Sequence, residues 1–251
     1  MSHRFVGLFI LVLALPCVAH ADANSDIFMY DTSDPLYLPT TNDFLSETAL
    51  TYSDDILRLG QQLSYGINDR LTILGNLHYQ IDFDGPADGF SSFDVGGKYR
   101  LARSGDNSAH IIADAIAGLR FGGTDRVRTP WFADHQYYAG LRVGRRWTGL
   151  TLAGTIKSSW IFDDKRGMAY IDFVPEAYFR LIYNWRIGTG FTFRKATNPH
   201  YDQDWLNLKL IREYGRTQYV GMFDYEIDDG TVQVGFRVNL LFLVRGNFNK
   251  Q

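Results

Sequence analysis

The chain has 251 residues, of which 45% are hydrophobic and 15% aromatic, and its formal net charge is −3 at pH 7. This length accommodates one large β domain or two small ones, and a small net charge without a basic run excludes a typical nucleic-acid-binding protein. Beyond the N-terminal region no stretch approaches the roughly 18 consecutive apolar residues of a membrane helix, which excludes a helical membrane protein.

The N-terminus has the three parts of an export signal. A short cationic head ends at Arg4, an apolar run covers Phe5–Val18, and Ala19-His20-Ala21 matches the A-x-A cleavage pattern. We therefore predict a signal peptide over residues 1–21 that is removed before Asp22. A retained membrane anchor is the alternative, although the apolar run is short for a spanning helix.

The single cysteine, Cys17, lies within this signal. The processed chain then contains no thiol, which excludes disulfides, thiolate metal sites and cysteine nucleophiles. The paired-histidine spacing of a zinc site is also missing from the sequence. We predict neither a metal ion nor another cofactor.

Residues 22–43 are polar and irregular, and they include Pro35 and Pro39. Two placements are compatible with this composition: a periplasmic segment outside the folded domain, or a lumenal segment folded into its mouth. A disordered leader is a third reading, because chain termini are often poorly ordered.

From residue 44 onward, apolar and polar residues alternate in stretches of about ten. In the stretch Arg70–Ile81, for example, Leu71, Ile73, Leu77 and Tyr79 are apolar and separated by polar residues. Since a strand places successive side chains on opposite faces, each stretch has one apolar and one polar face. The predicted strands are Phe44–Ser53, Ile56–Ile67, Arg70–Ile81, Phe93–Ala102, Ala109–Phe121, Gln136–Trp147, Leu150–Ile161, Tyr170–Leu181, Asn184–Lys195, Trp205–Arg212, Thr217–Ile227 and Thr231–Phe242.

The connectors between these strands are alternately short and long. Asn68-Asp69 and Thr148-Gly149 are tight, whereas 82–92 and 122–135 are long. Transmembrane barrels of the bacterial outer membrane have short periplasmic turns, long external loops and aromatic belts at both strand ends. We therefore predict an all-β fold: a closed antiparallel transmembrane β-barrel of about 12 strands in meander order, covering residues 44–242, with both termini periplasmic.

Two short segments carry a family resemblance. Tyr65-Gly66-Ile67-Asn68-Asp69-Arg70-Leu71 resembles a periplasmic turn of Gram-negative outer-membrane β-barrel proteins, and residues 235–242 resemble the terminal strand that the barrel-assembly machinery reads. The resemblance implies outer-membrane lipid, lipopolysaccharide and that machinery as partners. Unlike family members, the chain continues past Phe242, so residues 243–251 form a tail or a strand extension. More weakly, the layout resembles transporter-like barrels associated with aromatic-compound degradation pathways.

The polar faces would line the lumen of such a barrel. The predicted basic set is Arg58, Lys98, Arg100, Arg120, Arg142, Arg146, Lys157, Arg180, Arg186, Arg194, Lys209 and Arg237. All of these except Arg146 and Lys209 are the predicted electrostatic filter. The predicted acidic set is Asp94, Asp114, Asp172, Glu176, Asp224 and Glu226. Most other acids fall in the N-terminal segment or the long connectors, so the pattern predicts a basic interior and an acidic rim. Examples of these acids are Asp84, Asp125, Asp163, Asp164 and Asp202.

We expect the protein to be a porin-like outer-membrane channel for passive uptake of small solutes, anion-preferring because cationic side chains favour negative solutes. A lumen filled by paired charges is the alternative, since about 12 strands lie between filled small barrels and open porins. A non-conducting structural barrel and a lipid-modifying enzyme are rival functions. For the enzyme, Ser108, His110 and Asp114 share one face, but in the predicted topology they point inward at the periplasmic end.

Overall fold

The computed structural model describes residues 32–85, 88–106, 109–123, 135–147, 149–162, 169–182, 184–199 and 202–243. They form one closed antiparallel barrel of twelve strands in which each strand pairs with its neighbours in sequence and the last pairs with the first. The strands are β1 (Asp43–Ser53), β2 (Ile56–Gly66), β3 (Leu71–Asp82), β4 (Gly89–Asp106), β5 (Ala109–Gly122), β6 (Gln136–Arg146), β7 (Leu150–Ile161), β8 (Ala169–Ile182), β9 (Trp185–Ala196), β10 (Gln203–Tyr214), β11 (Thr217–Glu226) and β12 (Val232–Leu243). The predicted fold class, a closed antiparallel meander barrel of about 12 strands, is confirmed.

The largest difference in strand boundaries concerns β4. Alternation predicted Phe93–Ala102, but the strand begins at Gly89 and ends at Asp106. Ser91 and Leu101 each lie unpaired between residues that pair with neighbouring strands. Such an extra residue is a β-bulge, which shifts the following side chains to the other face. The alternating pattern therefore stops at each bulge although the strand continues.

The barrel wall is apolar outside and polar inside. Leu77 on β3 and Val143 on β6 expose 48% and 54% of their surface on the outer face. Gln80 on β3 and Asn239 on β12 point inward and are fully buried. This distribution reverses that of a soluble protein and is typical of a barrel surrounded by lipid. No helix in the described ranges is long and apolar enough to cross a membrane.

Aromatic side chains cluster on the outer face near both ends of the strands. At one end Tyr137 stacks on Trp160 with ring centroids 4.8 Å apart. At the other end Tyr214 and Tyr219 meet edge to face at 6.0 Å. Aromatic rings are amphipathic and prefer the boundary between lipid tails and head groups. The two clusters therefore delimit the apolar band between them.

The two ends of the barrel differ in their connectors. At one end, which we call the short-turn end, strands are joined by segments such as 67–70 and 215–216. At the opposite end, the loop end, most connectors are longer, for example 123–135 and 197–202. β1 begins and β12 ends at the short-turn end, because the two strands pair antiparallel from Asp43↔Leu243 onward.

One connector at the loop end breaks this pattern. Asp54 and Asp55 alone join β1 to β2, and both have positive φ angles, 47° and 61°. This is the backbone of a two-residue type I′ hairpin turn, in which Asn, Asp and Gly are favoured because they tolerate positive φ. The first hairpin therefore has the shortest connector at the loop end.

Residues 32–42, which precede β1, lie inside the barrel at the short-turn end. We call them the N-terminal plug. Leu36 is fully buried against Ile112 of β5 and Ala153 of β7. A side chain at Gly144 of β6 would come within 2.8 Å of the Leu36 methyl groups, so this glycine makes room for the plug.

Candidate functional site: the polar lumen

The ten basic residues predicted as the filter all lie at inward-facing positions of their strands. Eight of them line cavities of the lumen or contact the plug, and Arg180 and Arg186 interact with Glu213 of β10. The ten are Arg58, Lys98, Arg100, Arg120, Arg142, Lys157, Arg180, Arg186, Arg194 and Arg237. Their position agrees with the expected lining, whereas their role as a filter stays a prediction.

Three of the predicted acids are almost inaccessible, because each one lies in the wall beneath an arginine. The pairs are Arg120–Asp94, Arg100–Asp114 and Arg194–Asp172, with N–O distances of 2.6, 2.9 and 2.6 Å. In all three, the guanidinium donates two hydrogen bonds to one carboxylate. Bidentate pairs of this kind have fixed geometry, which keeps the arginines in place.

In each pair the cation is closer to the open lumen than the acid. The Arg120 side chain exposes 19% of its surface and Asp94 only 3%. Lys157 adds a second cation above Asp172, at 3.4 Å. Each pair has no net charge, but its exposed part is the cation. The lumen surface formed by these groups is therefore cationic.

The other predicted acids have different partners. The Glu176 carboxylate forms an ion pair with the Lys209 ammonium at 2.9 Å, and the same ammonium donates a hydrogen bond to the Tyr178 hydroxyl at 2.8 Å. Asp224 accepts hydrogen bonds from the amides of Asn207 and Gln233, at 2.8 and 3.3 Å. Charge pairing in the lumen is thus extensive, which agrees with part of the filled-lumen alternative.

Sequence reasoning missed three lumenal acids. Glu47 on β1 pairs with Arg237 at 3.5 Å and accepts a hydrogen bond from Gln62. Glu213 on β10 pairs with Arg186 at 3.4 Å. Asp34 belongs to the plug. Glu47 and Glu213 occupy polar positions of strands in which apolar and polar residues alternate, so this alternation could have assigned them to the lumen. Nothing in the sequence locates Asp34.

Three cavities lined by described residues form a path through the lumen from the loop end toward the plug. The upper cavity has about 570 Å³, the middle one about 270 Å³ and the lower one about 190 Å³. Arg120, Lys157 and Tyr170 line both the upper and the middle cavity. Lys98 and Arg142, with Gln62 and Glu176, line both the middle and the lower cavity. The shared residues show that the cavities are consecutive.

The plug forms the floor of the lower cavity and is anchored to the wall by charged groups. Asp34 accepts hydrogen bonds from Arg146 at 3.0 Å and from Thr151 at 2.8 Å. Arg100 donates to the backbone oxygen of Leu36 and Arg142 to that of Pro35. Three of the predicted lumen cations, Arg100, Arg142 and Arg146, therefore bind the N-terminal plug.

On the opposite wall, the plug binds polar side chains of the last two strands. Asn239 of β12 donates to the hydroxyls of Thr32 and Ser33, each at 3.1 Å. Thr32 in turn donates to Gln218 of β11 at 2.8 Å. The plug thus spans the lumen from β6 and β7 to β11 and β12.

The loop end carries the expected acidic rim where it is described. There Asp55 raises the pKa of Asp84 through charge repulsion and a shared hydrogen bond. The pKa of Asp202 is lowered because its carboxylate accepts the backbone N–H of Ala196 at 2.8 Å. Three further predicted rim acids, Asp125, Asp163 and Asp164, lie outside the described residues.

No catalytic triad of Ser108, His110 and Asp114 is visible among the described residues. Ser108 lies outside the described residues, as does the side chain of His110. The Asp114 carboxylate is occupied by Arg100. Among the described residues there is also no group of three His, Cys, Asp or Glu side chains placed to hold a metal ion.

Comparison with solved structures adds the fold relationship. The chain is similar to the KdgM porin, with a TM-score of 0.58 and 10% identity over 79% of this chain and 99% of that chain. The NanC porin gives 0.58 and 8% identity over 80% and 98% of the two chains. The fold is that of outer-membrane porins.

A third structure extends this likeness. The COG4313 outer membrane channel from Pseudomonas putida F1 gives a TM-score of 0.57 and 11% identity over 84% of this chain and 99% of that chain. No protein-family model and no curated protein sequence matches the chain. The resemblance to Gram-negative outer-membrane barrels, predicted from two short segments, is therefore confirmed at the level of the fold.

Proposed function

We propose that the protein is a channel of the bacterial outer membrane through which small solutes, preferentially anions, diffuse into the periplasm. The observation that carries this proposal is the placement of Asp94, Asp114 and Asp172 in the wall, each covered by an arginine. A solute in the lumen then meets cationic groups first. Cationic linings lower the electrostatic barrier for negative solutes.

The shape of the lumen supports the same function. The cavities narrow from about 570 Å³ at the loop end to about 190 Å³ above the plug. A wide mouth followed by a narrow polar passage suits small hydrophilic molecules. The porin fold supports transport as the general class, because the KdgM, NanC and COG4313 proteins are described as porins or channels.

The proposal includes an orientation and partners. The short-turn end, with both strand termini, faces the periplasm, and the loop end faces outward. The apolar band contacts lipid, with lipopolysaccharide around the loop end. β12 is the strand that we propose the barrel-assembly machinery reads, since its outward residues form an unbroken apolar series that ends at Phe242.

Reversal potentials in planar bilayers under a KCl gradient test the proposal. We expect single-channel steps with chloride more permeant than potassium. Lys157→Glu should reduce this preference several-fold, because Lys157 lines the upper and middle cavities and Asp172 keeps Arg194 as its partner.

The matched control for this substitution is Arg145→Glu. It makes the same charge change on the outer face, where Arg145 lies over the Trp147 ring. The permeability ratio should stay at the wild-type value. Cation preference in the wild type would contradict the anion proposal.

A non-conducting structural barrel is the second candidate, because the plug lies across the short-turn end. Absence of single-channel steps in both the wild type and Leu36→Asp, which removes the buried anchor of the plug, would favour it over the channel.

A further inference from the structure

The lower cavity combines four cations that come from four different strands. Lys98 is on β4, Arg142 on β6, Lys209 on β10 and Arg237 on β12. They surround a space of about 190 Å³ whose other lining residues are mostly polar, with Leu45, Pro35 and Pro39 as the apolar exceptions. A barrel brings these residues together only because its inward positions converge on one axis.

Two of the four cations are compensated by their own acid. Lys209 is 2.9 Å from Glu176, and Arg237 is 3.5 Å from Glu47. These two pairs contribute no net charge to the cavity. The third acid of the lining, Asp34, is likewise engaged by Arg146 at 3.0 Å.

The other two cations have no acid within ion-pair distance among the described residues. Arg142 donates to the Thr155 hydroxyl at 2.8 Å and to the backbone oxygen of Pro35, both neutral acceptors. Since a guanidinium has five N–H donors, further donors remain for another acceptor. Lys98 makes no hydrogen bond or ion pair with any described residue, and the carboxylates of Glu47 and Asp114 act on its ammonium only from beyond ion-pair distance.

We propose that the lower cavity is a binding site for one small oxyanion, a carboxylate or a phosphate, held between Lys98 and Arg142. This rests on the proposed function, in which anions enter from the loop end. Removing a cation from bulk water is costly unless an opposite charge and hydrogen bonds compensate it. An oxyanion supplies both, and a planar carboxylate or a phosphate matches the guanidinium fork.

The volume of the cavity limits the size of the ligand. Since one water occupies roughly 30 Å³ of liquid, the space holds on the order of six waters. A phosphate ion or an organic acid of a few carbons fits, whereas an oligomer does not. The hydroxyl of Ser64, which accepts a hydrogen bond from the Gln62 amide, also lines the cavity and can donate to a second ligand oxygen.

Isothermal titration of the full chain in detergent tests this site. Phosphate, acetate and succinate are titrated separately at constant ionic strength in a chloride background. We expect saturable binding of at least one of them. Binding of phosphate alone identifies the ligand as phosphate, binding of the acids alone as a carboxylate, and binding of both supports a general oxyanion site.

The variant Lys98→Gln/Arg142→Gln should weaken this binding at least tenfold. Both substitutions keep polarity and leave no acid without its pair. The matched control is Lys195→Gln/Arg145→Gln, which removes one lysine and one arginine from the outer face and should keep wild-type affinity. Far-UV circular dichroism verifies the folding of both variants, and Lys98→Met alone is the second variant if the double variant does not fold.

Binding and conduction can fail separately. A protein that conducts anions but shows no saturable binding, or binds equally well without Lys98 and Arg142, overturns the site while the channel stands. A protein that binds phosphate or carboxylate but shows no steps in bilayers keeps the site and overturns the channel.

Discussion

At the scale of single residues, the lumen depends on arginines that cover buried acids. Asp94 is held by Arg120, with His78 as a more distant neighbour at 3.8 Å. A buried carboxylate that loses its cation remains desolvated and uncompensated, which costs more than the ion pair itself contributes. The arginines are therefore required for stability as well as for the charge of the lumen surface.

Substitution of one partner should be worse than substitution of both. We expect Arg120→Met to lower the free energy of unfolding by about 3 kcal/mol, because Asp94 is left buried with little compensation. The double variant Arg120→Met/Asp94→Leu should recover a large part of this loss. Urea unfolding in detergent, followed by tryptophan fluorescence, measures both.

Arg142→Met is the control for this pair of variants. Its guanidinium binds only neutral acceptors, so no acid is stranded and a smaller loss is expected. Equal losses for Arg120→Met and the double variant would show that Asp94 does not need its cation.

At the scale of elements, the N-terminal plug is fastened by one apolar anchor and several hydrogen bonds. Leu36 is the anchor, and the pocket that receives it exists because β6 has Gly144 at the point of closest approach. Burial of a leucine side chain contributes about 2 kcal/mol. A charged residue at this position removes that contribution and adds the cost of burying a charge.

Leu36→Asp should therefore release the plug from the lumen. We expect a larger unit conductance in planar bilayers and faster proteolysis within residues 32–42. The control is Asn42→Asp, which places the same acid at an exposed position of the same segment and keeps the acceptor for the Tyr65 hydroxyl. Wild-type conductance with rapid proteolysis would mean that the plug does not limit ion flow.

The elements also show what the sequence can and cannot predict. Alternation located most strands because each one has lipid on one face and polar groups on the other. It missed both ends of β4, because the bulges at Ser91 and Leu101 reverse which residues point outward. The acid–arginine pairs were predictable in principle, since Asp94 lies directly opposite Arg120 once the hairpin register is known.

A lumenal placement of residues 22–43 was one of the sequence-based alternatives, but the contacts of the plug and the unpaired cations were beyond sequence reasoning for a physical reason. Asp34 and Arg146 are separated by 112 residues, and no periodicity links an irregular segment to a particular strand. That Lys98 lacks an acid, whereas Lys209 has Glu176, depends on where the side chains meet inside the closed barrel. Alternation along a strand assigns such residues to the lumen, but it does not show which of them form ion pairs.

At the scale of the whole molecule, the two ends should face different compartments. If the signal is cleaved as predicted, the mature chain has no cysteine, so single cysteines can report topology. Asp229→Cys at the loop end should react with an impermeant maleimide on intact cells. Arg216→Cys at the short-turn end should react only after the outer membrane is permeabilised, and the reverse pattern would contradict the proposed orientation.

The way the plug is bound has a consequence for assembly. Its partners include Arg100 and Arg146 in the first half of the chain and Asn239 in the last strand, 207 residues from Thr32. Closing so long a loop is entropically costly, and the last contacts form only when β12 is present. The complete seat of the plug therefore exists only after β12 has closed on β1. Docking of residues 32–42 thus marks a barrel whose synthesis and closure are both finished.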